Sequence, residues 1–185
     1  MANEGETAGG EGKAGVMSKN AAYWIETLQL SRHPEGGYFR RTYQARERIE
    51  KAHLPERFRG PRRFASAILY LLPSHEVSRF HRLQSDEIWH FHTGSALRLY
   101  VIDPAGPLFC TTLGADHERG EVFQAPIHGG CWFGAIVAEP DSFSLVGCTV
   151  SPGFEYEDFE LGDRKSLLAD YPEHRWIIEQ LSCEG

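Results

Sequence analysis

The sequence predicts an all-β domain, in which short antiparallel strands form a sandwich or barrel and a few helices flank it. The chain has 185 residues, 41% of them hydrophobic and 24% charged, as expected of one soluble globular domain. From residue 64 to residue 148, strand-like runs alternate with glycine, proline, aspartate or serine turns at roughly the 8 to 12 residue spacing of such folds. Helical patterns occur near the two ends, which argues against parallel βαβ units.

The first 19 residues form a separate predicted segment. They are rich in glycine, alanine and glutamate, and they contain no apolar run of the kind that a signal peptide or membrane span needs. We therefore expect a disordered tail over residues 1–19 and a single domain over residues 20–185.

The domain is predicted to begin with a helix, a turn and a strand. The helix follows an Asn20 cap and runs to about residue 30, because its apolar residues recur near helical spacing. Residues 33–37, HPEGG, have turn composition, and residues 38–44, YFRRTYQ, alternate as in a strand. This alternation places Tyr38 and Arg40 on one face of the strand.

A basic segment follows this strand. Residues 46–63 show no clear period and are predicted to form a long loop. From residue 40 to residue 63, nine lysines and arginines stand against three glutamates, although the formal net charge of the chain is −7. An acidic chain with one basic segment suits a local phosphate contact better than nucleic acid, so no nucleic-acid partner is expected.

The last part of the chain is predicted to be helical. Residues 163–182 contain an aspartate cap, a short helix and Pro172 near the start of a second helix. The second helix has an apolar face that includes Trp176 and Leu181. We expect both helices to pack outside the barrel.

The cysteines and the hydropathy pattern predict a cytoplasmic protein. The four cysteines, at positions 110, 131, 148 and 183, lack the paired spacing of a zinc site or a disulfide framework, so reduced thiols are expected. No window approaches eighteen continuous apolar residues, so no membrane association is expected.

The segment SRFHRLQSDEIWHFHTG is the densest group of chemically reactive residues. His81, Glu87, His90 and His92 fall within twelve positions. Residues two apart share one face of a strand, so these four side chains cannot all point the same way. His90 and His92 can equally lie on the solvent-exposed face of a sheet, whereas the spacing of His81 and Glu87 is more specific to a functional motif.

That spacing resembles the first cupin motif, G-x5-H-x-H-x3,4-E-x6-G, with His81, Glu87 and Gly94 in place and Leu83 where the second histidine would stand. The second cupin motif is echoed by GEVFQAP and the residues after it, and Cys131 or Phe133 stands where its histidine would be. A catalytic metal site generally needs about three protein ligands. The two that remain would hold a divalent metal weakly, so no cofactor is predicted.

Four ordered blocks extend the resemblance from residue 20 to residue 182. They are HPEGGYFRRTY, SRFHRLQSDEIWHFHTG, GGCWFGA and SPGFEYEDFELGDRKSLLADYP. Together they resemble the small cupin family of unknown function labelled Cupin-5, which is similar to the dTDP-rhamnose-pathway sugar epimerases. The resemblance implies a double-stranded β-helix, or jelly-roll barrel, with a polar cavity. It also implies a homodimer, which exchange of strand 38–44 between copies would complete.

The epimerases imply roles for individual residues. They use a histidine base, a tyrosine acid and diphosphate-binding arginines, without a metal. This resemblance implies that His81 abstracts a proton and that Glu87 orients His81 or stabilises its charge. It does not determine which tyrosine would act as the general acid. The predicted ligand-binding residues are Tyr38, Arg40, Arg79, Trp89, His90 and Trp132. The two arginines are equally compatible with surface ion pairs, and the two tryptophans with core packing.

Three functions remain open from the sequence. The first is a metal-independent cupin that binds a small anionic ligand, above all a nucleotide diphosphate or nucleotide sugar, and epimerises or isomerises it. The second is a metal-dependent dioxygenase or decarboxylase, in which His90, His92 or His128 completes the site of His81 and Glu87. The third is a ligand-sensing dimer without catalysis.

Overall fold

The computed structural model describes residues 19–182, so the predicted tail lies outside the described residues except for Lys19. Three α-helices are present in this range: α1 (Ala21–Thr27), α2 (Arg164–Asp170) and α3 (Arg175–Gln180). The strands are β1 (Ser31–Arg32), β2 (Tyr38–Gln44), β3 (Arg48–Ile49), β4 (Arg62–Arg63), β5 (Ser66–Pro73), β6 (Val77–Arg82), β7 (Asp86–Gly94), β8 (Leu97–Ile102), β9 (Leu108–Leu113), β10 (Gln124–Ile127), β11 (Trp132–Val137), β12 (Phe143–Ser151) and β13 (Glu160–Leu161). Short 3-10 turns occur at Lys51–His53, His117–Arg119, Tyr156–Asp158 and Pro172–His174.

The strands form two large sheets that enclose the core. One sheet has the order β1-β2-β5-β12-β7-β10 and the other has the order β13-β6-β11-β8-β9. Neighbouring strands within both sheets are antiparallel. The predicted all-β jelly-roll architecture is therefore confirmed. The strand predicted to exchange between copies, β2, pairs with β5 of its own chain.

The alternation of side chains along each strand builds the core. On β7, Glu87 and Trp89 are buried while Ile88 between them is exposed. On β12, Cys148 and Val150 are buried while Thr149 between them is partly exposed. This period of two matches the geometry of strands with one face against a core.

The helices cover the outer faces of the sheets, as predicted. Asn20 caps α1 by accepting a hydrogen bond from the Tyr23 amide at 3.0 Å. This helix ends sooner than predicted, and Gln29 follows it with a left-handed φ of 52°. At the other end, Ile177 and Leu181 are buried in a cluster with Phe80 of β6. No helix among residues 19–182 is long and apolar enough to cross a membrane.

The basic segment is more ordered than the predicted loop. It contains a 3-10 turn and β3, which pairs with β4. Arg62 of β4 is 1% exposed, and its guanidinium donates two hydrogen bonds to the Asp158 carboxylate, at 2.6 and 2.7 Å. No periodicity in the sequence predicts this ion pair, because the Asp158 carboxylate lies 96 positions from Arg62 along the chain.

Candidate functional site

A mostly apolar cavity lies between the two sheets. Its walls consist of His33, Glu35, Phe39, Arg41, Ser66, Ala67, Ile68, Tyr70, His81, Leu83, Glu87, Trp89, Cys148, Val150, Phe154, Tyr156 and Phe159. The centres of water molecules can occupy about 40 Å³ of it. Because one water needs roughly 10 to 15 Å³ by this measure, the inner chamber holds about three.

The HPEGG turn between β1 and β2 supplies two polar residues of the wall, His33 and Glu35. Gly36 has a φ of 117°, and a Cβ there would lie 2.2 Å from the Val77 carbonyl oxygen, so only glycine fits. The Arg79 guanidinium donates to the Glu35 carbonyl at 3.1 Å, and the Tyr70 hydroxyl donates to the Gly36 carbonyl at 3.0 Å. The turn is therefore fixed from two sides.

Glu35 is the centre of a buried polar cluster. Its Oε2 lies 3.2 Å from Nδ1 of His33 and 3.0 Å from Nε2 of His81. Its Oε1 accepts a hydrogen bond from the Ser78 hydroxyl at 2.8 Å. Burial by itself raises the pKa of Glu35, but the charge of His81 and the bonds from His33 and Ser78 lower it to about 2. Glu35 is thus a carboxylate at neutral pH.

His81 is held at both ring nitrogens. Its Nδ1 lies 2.7 Å from the Arg79 carbonyl oxygen, and its Nε2 contacts Glu35 as described. Its ring packs on Phe133, with centroids 4.1 Å apart. Burial lowers the pKa of His81, and the negative charge of Glu35 opposes that effect.

Glu87 occupies an apolar part of the same cavity. Its burial, and next the negative charge of Glu35, raise its pKa to about 8. The neighbouring Cys148 thiol is neutral, because burial raises its pKa well above the usual value. The Cys148 thiol and the Trp89 indole N–H act in the opposite direction and lower the pKa of Glu87, but their effect is smaller than that of burial. Glu87 is therefore a carboxylic acid at neutral pH and can donate a proton.

The mouth of the cavity carries a cation. Arg41 is exposed on the cavity face of β2, and its guanidinium makes no hydrogen bond or ion pair with another described residue. Tyr156 is also exposed and lines the cavity. The adjacent backbone is fixed where the Phe154 amide donates to the Ser66 hydroxyl at 3.0 Å.

The structure brings three of the sequence-predicted site residues together. His81, Glu87 and Trp89 all line the cavity. Their catalytic and ligand-binding roles stay predictions. Arg79 lies behind the HPEGG turn, where its guanidinium donates to the Pro34 and Glu35 carbonyls, so it supports the cavity without lining it.

The other predicted ligand-binding residues lie away from the cavity. Tyr38 and Arg40 share the opposite face of β2, and the Arg32 guanidinium lies 4.2 Å from the Tyr38 ring centroid. His90, on the outer face of β7, has ring nitrogens 3.1 Å from Thr149 Oγ1 and 2.9 Å from Gln124 Nε2. Trp132 packs under α2 and α3 with the Arg82 guanidinium 4.5 Å from its ring centroid.

Sequence reasoning missed His33, Glu35 and Arg41. The HPEGG block has the composition of a turn, and nothing in its local sequence shows that the turn lines the interior of a barrel. For Arg41 a signal existed, because Phe39 and Arg41 share a strand face that carries an aromatic residue suited to a core. Choosing that face of β2 as the inner one would have selected Arg41 instead of Arg40.

The donor set does not fit the metal that the jelly-roll motifs imply. Leu83 stands at a histidine position of the first motif, and Cys131 or Phe133 stands at that of the second. All three are buried in the interior. His81 uses both ring nitrogens in contacts with oxygen atoms of the protein. Among residues 19–182, no group of three or more histidine, cysteine, aspartate or glutamate side chains has the arrangement of a metal site.

Two antiparallel sheets around one cavity, with the His81 and Glu87 spacing in its wall, define a cupin. The chain belongs to the family described as Cupin superfamily (DUF985), whose profile Cupin_5 matches residues 22–162.

Known proteins agree with this assignment. The chain is 42% identical to protein SO0799 from Shewanella oneidensis, with a TM-score of 0.81 over 90% of this chain and 99% of that one. A hypothetical protein from Leishmania major is 35% identical, with a TM-score of 0.81 over 89% and 99% of the two chains. Uncharacterized protein YML079W of Saccharomyces cerevisiae is 28% identical over 143 residues, 72% of this chain and 71% of that protein.

A more distant structure shares the fold alone. Oxalate decarboxylase from Bacillus subtilis has a TM-score of 0.50 and 14% identity over 83% of this chain, which spans 37% of the decarboxylase.

Proposed function

We propose that this cupin binds a small anionic organic ligand in its barrel cavity and transfers a proton on it without a metal, as an epimerase or isomerase does. One observation carries the proposal. Two carboxyl groups line a single cavity, and their environments push their pKa values apart, to about 2 for Glu35 and about 8 for Glu87. In proton-transfer sites, two groups whose pKa values are separated in this way mark where the general acid and the general base lie.

The acid side is the Glu87 carboxyl. A general acid works best when its pKa lies near the operating pH, and Glu87 meets this condition. Tyr70 is a weaker candidate, because its hydroxyl already donates to the Gly36 carbonyl. The base side is the cluster in which Glu35 contacts His33 and His81.

The size and charge of the cavity limit the ligand. An inner chamber for about three waters admits the reacting fragment of a ligand and little more. Arg41 supplies a guanidinium at the mouth, suited to a phosphate or carboxylate. A small phosphorylated or carboxylated carbonyl compound fits this arrangement whole. A nucleotide sugar fits it with its base and phosphates outside the chamber.

A similarity to the dTDP-rhamnose-pathway epimerases, which we infer from the sequence motifs alone, would suit the same class of reaction. Those enzymes also act without a metal, with a histidine base and arginines that bind the diphosphate. The proposed site differs from theirs in using Glu87 as the acid.

The ligand proposal is tested by thermal shift. The compounds are inorganic phosphate, 2-oxo carboxylates, small phosphorylated carbonyl compounds, nucleotide diphosphates and nucleotide sugars. A ligand at a hundred times its Kd adds about 2.7 kcal/mol to the free energy of unfolding. We expect a rise in Tm for wild type and for Arg40→Ala, the matched control on the other face of β2, and a much smaller rise for Arg41→Ala. No shift with any compound, or equal shifts in both variants, would contradict the proposal.

The reaction is tested in D₂O with the compounds that bind. We expect NMR to show deuterium replacing a carbon-bound proton in the presence of wild type, and at least a hundredfold slower exchange with Glu87→Gln, for a general-acid contribution of about 10² to 10⁴. Binding without exchange would overturn the enzymatic part and favour a ligand sensor.

The proposal also includes a cytoplasmic homodimer. The family resemblance supports the dimer, and the free thiols of Cys110, Cys131 and Cys148 suit a reducing compartment. Light scattering should give twice the chain mass of 20.9 kDa, and a monomer would contradict it.

A further inference from the structure

The two cavity histidines differ in which nitrogen is left available. His81 has Nδ1 against the Arg79 carbonyl oxygen and Nε2 against Glu35 Oε2. Both partners are acceptors, so both contacts are hydrogen bonds only when both nitrogens carry protons. Whichever protonation state it takes, neither nitrogen of His81 is directed at a ligand.

His33 has one engaged nitrogen and one open nitrogen. Its Nδ1 lies 3.2 Å from Glu35 Oε2, while its Nε2 has no hydrogen-bond partner among residues 19–182. The side chain lines the cavity and is 8% exposed, against 3% for His81. Edge-to-face contacts with Phe39, at 4.7 Å, and with Tyr70, at 6.0 Å, fix the plane of the His33 ring.

The charge of Glu35 decides the tautomer of His33. An ionised carboxylate only accepts hydrogen bonds, so Nδ1 of His33 must carry the proton that bridges to Oε2. The Glu35 backbone N–H also points at this Nδ1 as a donor, which would require Nδ1 without a proton, but the distance is 3.5 Å, the limit of a hydrogen bond. The shorter contact to the carboxylate therefore prevails, and the lone pair of the neutral ring is on Nε2.

We infer that His33, and not His81, accepts the proton in this cavity, and that it acts on a carbonyl compound with a C–H bond next to the carbonyl. The inference rests on the proposed function and names its base and substrate class. The ligand C–H bond breaks, its proton bonds to His33 Nε2, and the electron pair forms an enolate. The enolate oxygen takes the proton of the Glu87 carboxyl. Epimerisation is completed when the enol turns in the cavity, the His33 proton adds to the opposite face of the same carbon, and the enol proton returns to Glu87. Isomerisation of a substrate with a hydroxyl on the deprotonated carbon is completed when the His33 proton adds to the former carbonyl carbon and that hydroxyl gives its proton to Glu87.

Glu35 and His81 are positioning residues in this scheme. Glu35 holds His33 in the Nδ1–H tautomer and stabilises the imidazolium that forms, as the carboxylate of a His–Asp pair does. His81 and Ser78 in turn hold the Glu35 carboxylate. This arrangement explains why a histidine with no open nitrogen is buried beside the base.

The inference is tested on the full chain without a ligand. Histidine labelled with ¹⁵N at both ring nitrogens reports which nitrogen carries a proton, and the spectrum is taken near pH 8, above the ordinary titration range of histidine. We expect His33 to have a protonated Nδ1 and a bare Nε2. The exposed His53, whose side chain makes no hydrogen bond or ion pair with another described residue, serves as an internal reference. A protonated Nε2 on His33 would overturn the inference.

A variant pair separates the base from the positioning residue. The amide nitrogen of asparagine lies where Nδ1 of histidine does, so His33→Asn keeps a donor for Glu35 but has no base. We expect it to bind panel compounds within about threefold of wild type and to lose deuterium exchange at least a hundredfold. His81→Asn should keep measurable exchange with an altered pH profile. Unchanged exchange in His33→Asn would also overturn the inference.

The two failures are distinguishable. A protein that shows the expected His33 tautomer but exchanges no panel compound contradicts the proposed function. A protein that exchanges a panel compound with His33 in the opposite tautomer supports the proposed function and contradicts the role of His33.

Discussion

Glu35 and Glu87 line the same cavity, and their two environments have opposite effects. Glu35 comes from a turn and receives hydrogen-bonding contacts from two histidines and a serine, which hold its pKa at about 2. Glu87 lies near the start of β7 in the sheet interior, and its burial, and next the negative charge of Glu35, raise its pKa to about 8. The comparison shows that buried carboxyl groups acquire different chemistry from the donors that the fold provides, and not from depth alone.

The largest expected effect is the difference in stability loss between the Glu35→Gln and Glu87→Gln variants at pH 7. Glu35→Gln replaces the ionised acceptor of the contacts from His33, His81 and Ser78 with a neutral amide and should lower the free energy of unfolding by about 1.5 to 3 kcal/mol. Glu87→Gln replaces a protonated carboxyl with a group of the same shape and should cost less than about 1.5 kcal/mol. Urea denaturation of both variants measures the difference. Equal losses would contradict the contrast between the two environments.

The next largest expected effect is the loss of the stabilising contribution of Glu87 as the pH rises. The folded pKa of Glu87 lies above its ordinary value of 4.5, so the folded state holds a proton that the unfolded state releases. Its stabilising contribution is complete below about pH 4.5 and is lost as the pH rises through about 8, at up to roughly 1.4 kcal/mol per pH unit. Subtracting the Glu87→Gln profile from that of wild type isolates this slope. Parallel profiles between pH 5 and 8 would show that Glu87 is ionised.

For Glu35 we expect the opposite pH dependence, a loss of stability as the pH falls. Its folded pKa lies below 4.5, so the unfolded state takes up a proton first. The contribution of Glu35 is present above about pH 4.5 and declines as the pH falls towards 2. Thermal unfolding of wild type and Glu35→Gln between pH 5 and 2.5 tests this sign, and converging Tm values at low pH are expected. A constant gap would argue against an ionised Glu35.

The smallest predicted effect concerns the support of the turn. Tyr70→Phe removes the hydroxyl that donates to the Gly36 carbonyl and should cost about 0.5 to 1.5 kcal/mol. Phe39→Leu, in the same wall, is a control for apolar packing without loss of a hydrogen bond. The ¹⁵N signals of His33 should move in Tyr70→Phe more than in Phe39→Leu. The reverse order would indicate that packing alone fixes the turn.

Local sequence patterns predicted the architecture and the helix caps. Alternation along β7 and β12, glycine and proline turns, and the caps at Asn20 and Asp163 are all properties of neighbouring residues. The spacing of His81 and Glu87 also sufficed to predict two residues that line the cavity.

The base side of the site depended on contacts between distant parts of the chain. Glu35 meets Ser78 across 43 positions, and no period in the sequence encodes that contact. The wrong choice of arginine has a different cause. Neighbouring residues of a strand lie on opposite faces, so choosing the wrong inner face of β2 selects Arg40 in place of Arg41. The outer positions of His90 and Trp132 follow from the same alternation, applied to strands whose inner faces only the assembled sheets define.

The central claim is that one cavity holds an ionised Glu35 beside a protonated Glu87 at neutral pH, and infrared difference spectroscopy tests it most directly. Titration of the full chain from pH 6 to 10 should show the carbonyl stretch of one protonated carboxylic acid disappearing near pH 8. That band should be absent from Glu87→Gln and retained in a variant of an exposed carboxyl group, Glu139→Gln. No carboxylic-acid band at pH 6 to 7, or a band that survives in Glu87→Gln, would contradict the account.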